Sequence, residues 1–429
     1  MKKNLILLFL AFSSFLYSQN PVLVGYWHNW NDSSAPYIQL NSVDSRYTVI
    51  CVSFAVPTSP SNMTMNFTPD GVSQSTFISQ IQSLQNQGKK VLLSIGGATT
   101  SVSLNNTTNR DLFINSMNSL ITTYGFDGID IDIEHGNSIM ASGTITNPTA
   151  VDCTNLIYAI NQIKNNFYTT FSHNMILSFA PETAYVQGGM SAYGGIWGGY
   201  LPLLHALRND INYVHVQLYN SGSVYGIDGN IYNQGTADFI IALSEALIQG
   251  FTTSGGFFQG FPANKVVVGL PACPSAAGGG FTTTTNVENA IKYLRGQGPK
   301  PGTYTLSQVG GYPNLGGMMT WSINWDKVTT CNTTSYAYAQ NYELLFGSPL
   351  NIDNQSFEAK SMKIAPNPCQ NIVRISNIET VESYSIIDVL GQIVQKGFLS
   401  KNESITVENL ELGIYFMKIK NNTIKFIKN

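Results

Sequence analysis

The sequence predicts an α/β chain built as a (β/α)8 TIM barrel followed by a small all-β sandwich. Three observations predict it. Eight short runs rich in β-branched and aliphatic residues recur between residues 22 and 324, their starts 26 to 52 residues apart. Helix-periodic segments fall between several of them. After Phe346 the texture changes to short alternating segments separated by Asn and Gly turns.

The chain opens on an address. Lys2 and Lys3 precede the apolar run Leu5–Leu16, and Tyr17, Ser18 and Gln19 follow. A basic start, a short apolar stretch and small or polar residues describe a secretory signal peptide over residues 1–19. The run is shorter than the ~20 residues a bilayer span needs. No later stretch is longer, so stable membrane insertion is not expected.

The barrel is expected over residues 20–346. Its strands read as Val22–Trp27, Thr48–Val56, Lys90–Gly97, Phe126–Glu134, Met175–Glu182, Tyr213–Asn220, Lys265–Ala272 and Gly317–Asn324. Near-continuous apolar strands separated by helices imply a parallel sheet covered by those helices. Helical spacing appears in Phe77-Ile78-Ile81-Leu84, Leu112-Phe113-Met117-Leu120-Ile121 and Leu156-Ile157-Ile160-Ile163. A doubly wound open sheet would place a Gly-rich phosphate turn after the first strand; Tyr26-Trp27-His28-Asn29-Trp30 is not one. Residues 347–362 read as a polar linker. The sandwich occupies 363–429, with strands at Ile372–Ile375, Ser383–Val389, Ile393–Gly397, Ser404–Leu410, Ile414–Ile419 and Thr423–Ile427.

Charge narrows the function. Charged residues are 11% of 429, against about 25% in ordinary globular chains. With 43% hydrophobic content the chain is not disordered. A net charge of −3 lacks the basic stripe that nucleic acid requires. Residues 20–360 hold 12 basic and 19 acidic side chains, whereas residues 361–429 hold eight and six. The five cysteines, Cys51, Cys153, Cys273, Cys331 and Cys369, form no C-x-x-C pair. His28, His173, His205 and His215 show no metal-ligand spacing. No metal site and no cofactor is expected. Buried thiols and one or two disulfides are equally compatible with an exported chain.

Four acids fall within the eight residues Asp127-Gly128-Ile129-Asp130-Ile131-Asp132-Ile133-Glu134. On a strand, Ile129, Ile131 and Ile133 share one face, and Asp130, Asp132 and Glu134 the other. In a barrel the Ile face meets the helices and the acids point inward. Crowded carboxylates cannot all ionise cheaply, so one should stay protonated at neutral pH, as a general acid must. Glu134 is nearest the C-terminal end, where barrel enzymes place their chemistry. Asp127 is off that face and fits a turn-fixing role. An EF-hand reading fails because His135 falls where its Gly is required.

This stretch resembles the D-x-x-D-x-D-x-E signature of glycoside hydrolase family 18, the chitinases and endo-β-N-acetylglucosaminidases. Ser94-Ile95-Gly96-Gly97, Ala180-Pro181-Glu182, Gln217-Leu218-Tyr219-Asn220 and Trp321 resemble its motifs on the third, fifth, sixth and eighth strands. The resemblance covers about residues 21–346. It implies retaining, substrate-assisted hydrolysis of chitin or chitooligosaccharides, in which the substrate's acetamide attacks its own anomeric carbon. Carried over, Glu134 is the acid and Asp132 holds the acetamide N–H. Asp130 shares a proton with Asp132, and Tyr219 positions the acetamide oxygen. Trp321 floors the site, with Tyr26 and Phe54 as further walls. Many members carry M-x-Y-D on the sixth strand; here Gln217 and Asn220 stand in, as substrate-binding candidates. The 42 residues between Cys273 and Gly316 leave no room for the α+β insertion of some members, which implies an open groove.

Other tempting residues carry less. His135 follows Glu134 but alternation turns it away. Trp197, in the loop Gly194–Gly199, is a candidate sugar-stacking ring at the leaving-group side. Phe257-Phe258 lies in another Gly-rich loop. In the last segment, Pro366-Asn367-Pro368, Leu390-Gly391-Gln392, Leu412-Gly413-Ile414-Tyr415 and a basic end resemble the C-terminal sorting domain of the type IX secretion system of Bacteroidetes. That implies the secretion machinery as partner, a secreted or cell-surface location, and removal of the tail after export. A carbohydrate-binding module is disfavoured because the segment has no Trp. The expected protein is a monomeric chitinase. An endo-β-N-acetylglucosaminidase acting on N-glycan cores is the alternative. A non-catalytic chitin-binding lectin is disfavoured by the presence of Glu134.

Overall fold

A computed structural model describes residues 21–134, 139–330, 334–347, 364–376, 380–389, 391–401, 403–419 and 422–429. The signal peptide, His135, most of the expected linker and Leu390 lie outside the described residues. The chain divides into two compact units, Met1–Asn351 and Ile352–Asn429.

The first unit is the barrel. Its strands are β1 (Val22–His28), β2 (Val49–Ser59), β3 (Lys90–Gly96), β4 (Gly128–Asp132), β5 (Ile176–Phe179), β6 (Tyr213–Val214), β7 (Val267–Pro271) and β8 (Gly317–Trp321). They pair in parallel in the order β7-β8-β1-β2-β3-β4-β5-β6. Parallel bridges at Val214–Val266 and Gln217–Gly269 join β6 to β7 and nearly close the ring. All eight expected strands are therefore present, most of them shorter than the runs that announced them.

The helices are α1 (Gln74–Asn86), α2 (Thr107–Tyr124), α3 (Val151–Phe171), α4 (Leu201–Ala206), α5 (Ala237–Gln249), α6 (Thr284–Leu294), α7 (Ile323–Lys327) and α8 (Ala337–Phe346). Side-chain caps start several of them. Ser73 accepts from the Thr76 amide, Asn106 from Asn109, Thr236 from Phe239 and Thr283 from Asn286. Each satisfies an amide that the first helical turn leaves orphaned. Gly125 ends α2 with φ of 74°, a conformation that Gly adopts without penalty.

Two apolar layers follow from strand alternation. Ile129, Ile131 and Ile133 join the outer core with Phe113, Leu156 and Ile160 of the helices. The barrel interior holds Val22, Val24, Tyr26, Val49, Cys51, Leu92 and Met319. Two hairpins outside the barrel were not foreseen, Ser223–Tyr225 with Ile231–Asn233 and Phe251–Thr253 with Gly256–Phe258. Nor was Asn62–Asn66, which pairs back on the long end of β2. Between Cys273 and Gly316 there is one α-helix, α6, as the residue count required. Cys51, Cys153 and Cys369 are buried free thiols, and Cys273 is disulfide-bonded.

The second unit is all-β. An antiparallel three-stranded sheet contains β9 (Ile364–Ala365), β10 (Ile372–Ile375) and β13 (Ser404–Thr406). An antiparallel four-stranded sheet has the order β12 (Ile393–Leu399), β11 (Glu382–Ile387), β14 (Gly413–Ile419), β15 (Asn422–Lys428). Val373, Ile386, Met417 and Phe426 are fully buried in its separate core.

Candidate active site

Register delivers the site. β4 lies between β3 and β5, with Asp130 opposite Ser94 and Ser178, and Asp132 opposite Gly96. Asp130 is fully buried and accepts three hydroxyl hydrogen bonds of 2.7 Å, from Tyr26, Ser94 and Ser178. His215 Nε2 stands 3.4 Å from the same carboxylate. Three donors meet a buried carboxylate with little room for water.

Asp132, also buried, is placed differently. Its carboxyl interacts with those of both Glu134 and Asp130. Gln217 Nε2 donates to Asp132 Oδ1 and to Glu134 Oε1, both at 2.9 Å, and to the Ala180 carbonyl at 3.1 Å. Burial pushes the Asp132 carboxyl well above its ordinary range, and the charges of Glu134 and Asp130 push it further. Gln217 thus ties Asp132 and Glu134 together.

The end of β4 is pinned by a residue that sequence reasoning missed. Tyr200 donates its hydroxyl to the Ile133 carbonyl at 2.7 Å and accepts from the Ile133 amide at 3.0 Å. It fixes the backbone between the two acids just past the strand's last ladder pair. Close approach does the same on the other side. Gly97 donates its amide to the Asp132 carbonyl at 2.7 Å. A Cβ on Gly96 would sit 2.6 Å from that carbonyl, and one on Gly97 2.6 Å from the Phe54 ring. Asp127 lies off this face, where its carboxylate accepts the Val91 amide at 2.9 Å.

Above the acids is a cleft of about 610 Å³, lined by Trp30, Phe54, Glu134, Gln217, Tyr219, Asn220 and Trp321 with the Ser275–Gly278 loop. Phe54 and Trp321 stack at 5.9 Å and 15°. Trp30, another residue not foreseen, packs 6.2 Å from Phe54 and stacks on His28 at 4.4 Å. Tyr219 is 6% exposed; burial and the neighbouring Glu134 and Asp132 push its phenol well above the usual value, so it stays a donor. Asn220 lines the cleft, yet its side chain is engaged, accepting the Gly279 amide at 3.1 Å.

Two expected substrate contacts are not among the residues lining the cleft. Tyr26 is 1% exposed and bonds Asp130 beneath the floor. Its even position on β1 points it into the barrel, where its ring lies 5.6 Å from that of Trp321. Trp197 is 43% exposed and lies over Gly188.

Cys51, Asp130 and His215 have donor atoms within 4.8 Å of one another, a candidate metal grouping. The donor chemistry does not fit. Burial pushes the Cys51 thiol well above its ordinary value, away from the thiolate a metal needs. The Asp130 oxygens already accept hydroxyls.

Residues 22–365 match glycosyl hydrolases family 18. The chain belongs to this family. Residues 363–429 match the secretion system C-terminal sorting domain, which marks a family 18 chain destined for the cell surface or beyond. A chitinase, Chi52, of Paenibacillus xylanexedens is 46% identical over 312 residues, which are 72% of this chain and 59% of that protein. Chitinase ChiA of Flavobacterium johnsoniae is 34% identical over 90% of this chain and 26% of its own length. The chain thus spans less than two thirds of these curated relatives. A family 18 chitinase structure from Chromobacterium violaceum superposes with a TM-score of 0.68 at 37% identity, covering 76% of this chain and 83% of that one. No helix among the described residues is long and apolar enough to cross a membrane.

Proposed function

We propose that the chain is an exported chitinase that cleaves β-1,4 bonds between N-acetylglucosamine units with retention of configuration. The observation that carries this is the Asp132–Glu134 pair, bridged by Gln217 over a hydroxyl-saturated Asp130, at the floor of an aromatic cleft. The relatives' names supply chitin as the substrate.

The mechanism follows from these groups. Glu134, at the cleft surface, protonates the glycosidic oxygen. Asp132 accepts the acetamide N–H and stabilises the positive charge that grows as the acetamide oxygen closes on the anomeric carbon. The Tyr219 hydroxyl orients that oxygen. Asp130, which accepts three hydroxyls, adds to the push that discourages charge on Asp132 until the acetamide arrives. Phe54, Trp321 and Trp30 meet the apolar sugar faces. No second carboxylate attacks, so none is needed across the cleft.

Within this reading, residues 1–19 are a removed signal peptide and residues 20–346 the catalytic domain. Residues 347–362 are a linker, and 363–429 engage the secretion machinery. Glu134→Gln removes only the acid proton. It is expected to lower turnover of chitin hexamer by about 10²–10⁴-fold while binding persists. Retained turnover would sink the assignment. Proton NMR of the first products should show the β-anomer; the α-anomer would contradict retention.

A further inference from the structure

Outside the cleft, three large rings stand exposed on one group of loops. Phe257 is 57% exposed, Trp197 43% and Tyr225 39%. Phe257 and Tyr225 face a groove of about 580 Å³ between the 223–233 and 251–258 hairpins. That volume is in the usual range for small-molecule sites. The groove shares no lining residue with the cleft.

Its chemistry is specific. Ser191 and Thr252 put exposed hydroxyls on its rim, and Gly226 and Gly229 leave its floor without side chains. None of the described residues lining it is charged. Exposed rings of this size mark interaction surfaces more often than accident. Rings with hydroxyls and no charge fit a neutral, hydroxyl-rich ligand with flat apolar faces. The nearest charge is Asp228 on the same turn, whose carboxylate is taken by Asn230 and Tyr232 and makes the groove a poor fit for an anion or nucleic acid.

The groove joins connections from both ends of the barrel, with Gly250–Phe257 coming from the stretch between α5 and β7. Met190 and Ser191 come from the connection after β5, and Tyr225–Gly229 from that after β6. The 251–258 hairpin is fastened to these connections. The Gly255 carbonyl accepts the Ile145 amide at 3.0 Å, and Gly255 lies against the Tyr193 ring. Trp197 covers Gly188, in the turn that ends at Met190.

We propose that this groove is a second saccharide site, separate from the catalytic cleft, which holds a chain of the insoluble polymer through Phe257 and Tyr225. The inference rests on the chitinase reading for its ligand. The test uses the full chain carrying Glu134→Gln, so that bound polymer is not consumed. Chitin powder is titrated with this chain, with and without Phe257→Ala plus Tyr225→Ala. Loss of two stacking rings is expected to weaken binding about tenfold. Phe257→Tyr, which keeps a ring, should bind as the parent does. In chains with Glu134 intact, soluble chitin tetramer should be hydrolysed at the same rate with or without the two substitutions. Unchanged binding to powder overturns the proposal. If melting shows that the double variant is misfolded, the two single variants decide in the same assay. Wild-type chain that fails on tetramer would overturn the catalytic reading instead, and the powder titration still judges the groove.

Discussion

Asp132 sits between two other acids on one strand face and has little water to hold a negative charge. Its folded pKa is raised by burial first, then by Glu134 and Asp130. An unfolded aspartate titrates near about 3.9. Above that pH the native chain keeps a proton the unfolded chain gives up. The group's contribution to stability is therefore full below the unfolded value and lost as pH rises through the folded one. Asp132→Asn removes this titration while keeping a hydrogen-bonding side chain toward Glu134. The variant should melt higher than wild type at neutral pH, by roughly 2–4 °C per kcal/mol relieved, with the gap shrinking below about pH 4. Its turnover should collapse, because an amide can accept the acetamide N–H but carries no negative charge to stabilise the positive charge that grows on ring closure. Melting curves across pH 3–8 decide the matter; a gap that widens toward acid would refute the assignment of strain to Asp132.

At the scale of elements, buried charge also locks a loop. Helix α5 is apolar almost throughout, yet Glu245 on it is fully buried. It accepts the hydroxyls of Tyr304 at 2.5 Å and Tyr312 at 2.6 Å, together with the Ser307 amide and hydroxyl. Four donors from one connection thus converge on one carboxylate. Glu245→Ala would strand them, at a cost of about 3 kcal/mol or more by the usual penalty for unsatisfied buried groups. Urea unfolding should show it; a loss below about 1 kcal/mol would mean that the connection reorganises. Nothing in the sequence announced this contact, because the partners are about sixty residues apart and no period links them. The strands were legible for the opposite reason. The Ile129–Ile131–Ile133 row alternates with acids over a single element, so local pattern and barrel geometry agree. β6 was read too long, since beyond Val214 the chain keeps contact only through bridges such as Gln217–Gly269. Trp30 was missed because it lies past the end of β1, where alternation no longer says which way a ring points. Gln217 was read as a substrate contact and does line the cleft; that its amide also spans two acids depends on cross-strand register.

For the whole molecule, the composition that looked uninformative as a sum divides along the fold. The acid-rich part is the barrel, and the mildly basic end is a sandwich with a core of its own. Each unit buries its apolar side chains internally, and the two clusters share no residue. Folding of the barrel should therefore not depend on the tail. A chain ending at Gly347, just after α8, keeps every described strand and helix of the barrel and every residue lining the cleft. It should hydrolyse chitin hexamer at the rate of the full chain and melt in one transition at the same temperature. Export is the function that it should lose, because residues 363–429 are the sorting domain. Expressed in a host with this secretion system, the truncated chain should remain inside the envelope while the full chain reaches the medium or surface. Fractionation followed by a hexamer assay on each fraction separates the two roles. Activity lost on truncation would mean that the tail supports catalysis, and truncated chain in the medium at the full-length level would mean that the address lies elsewhere.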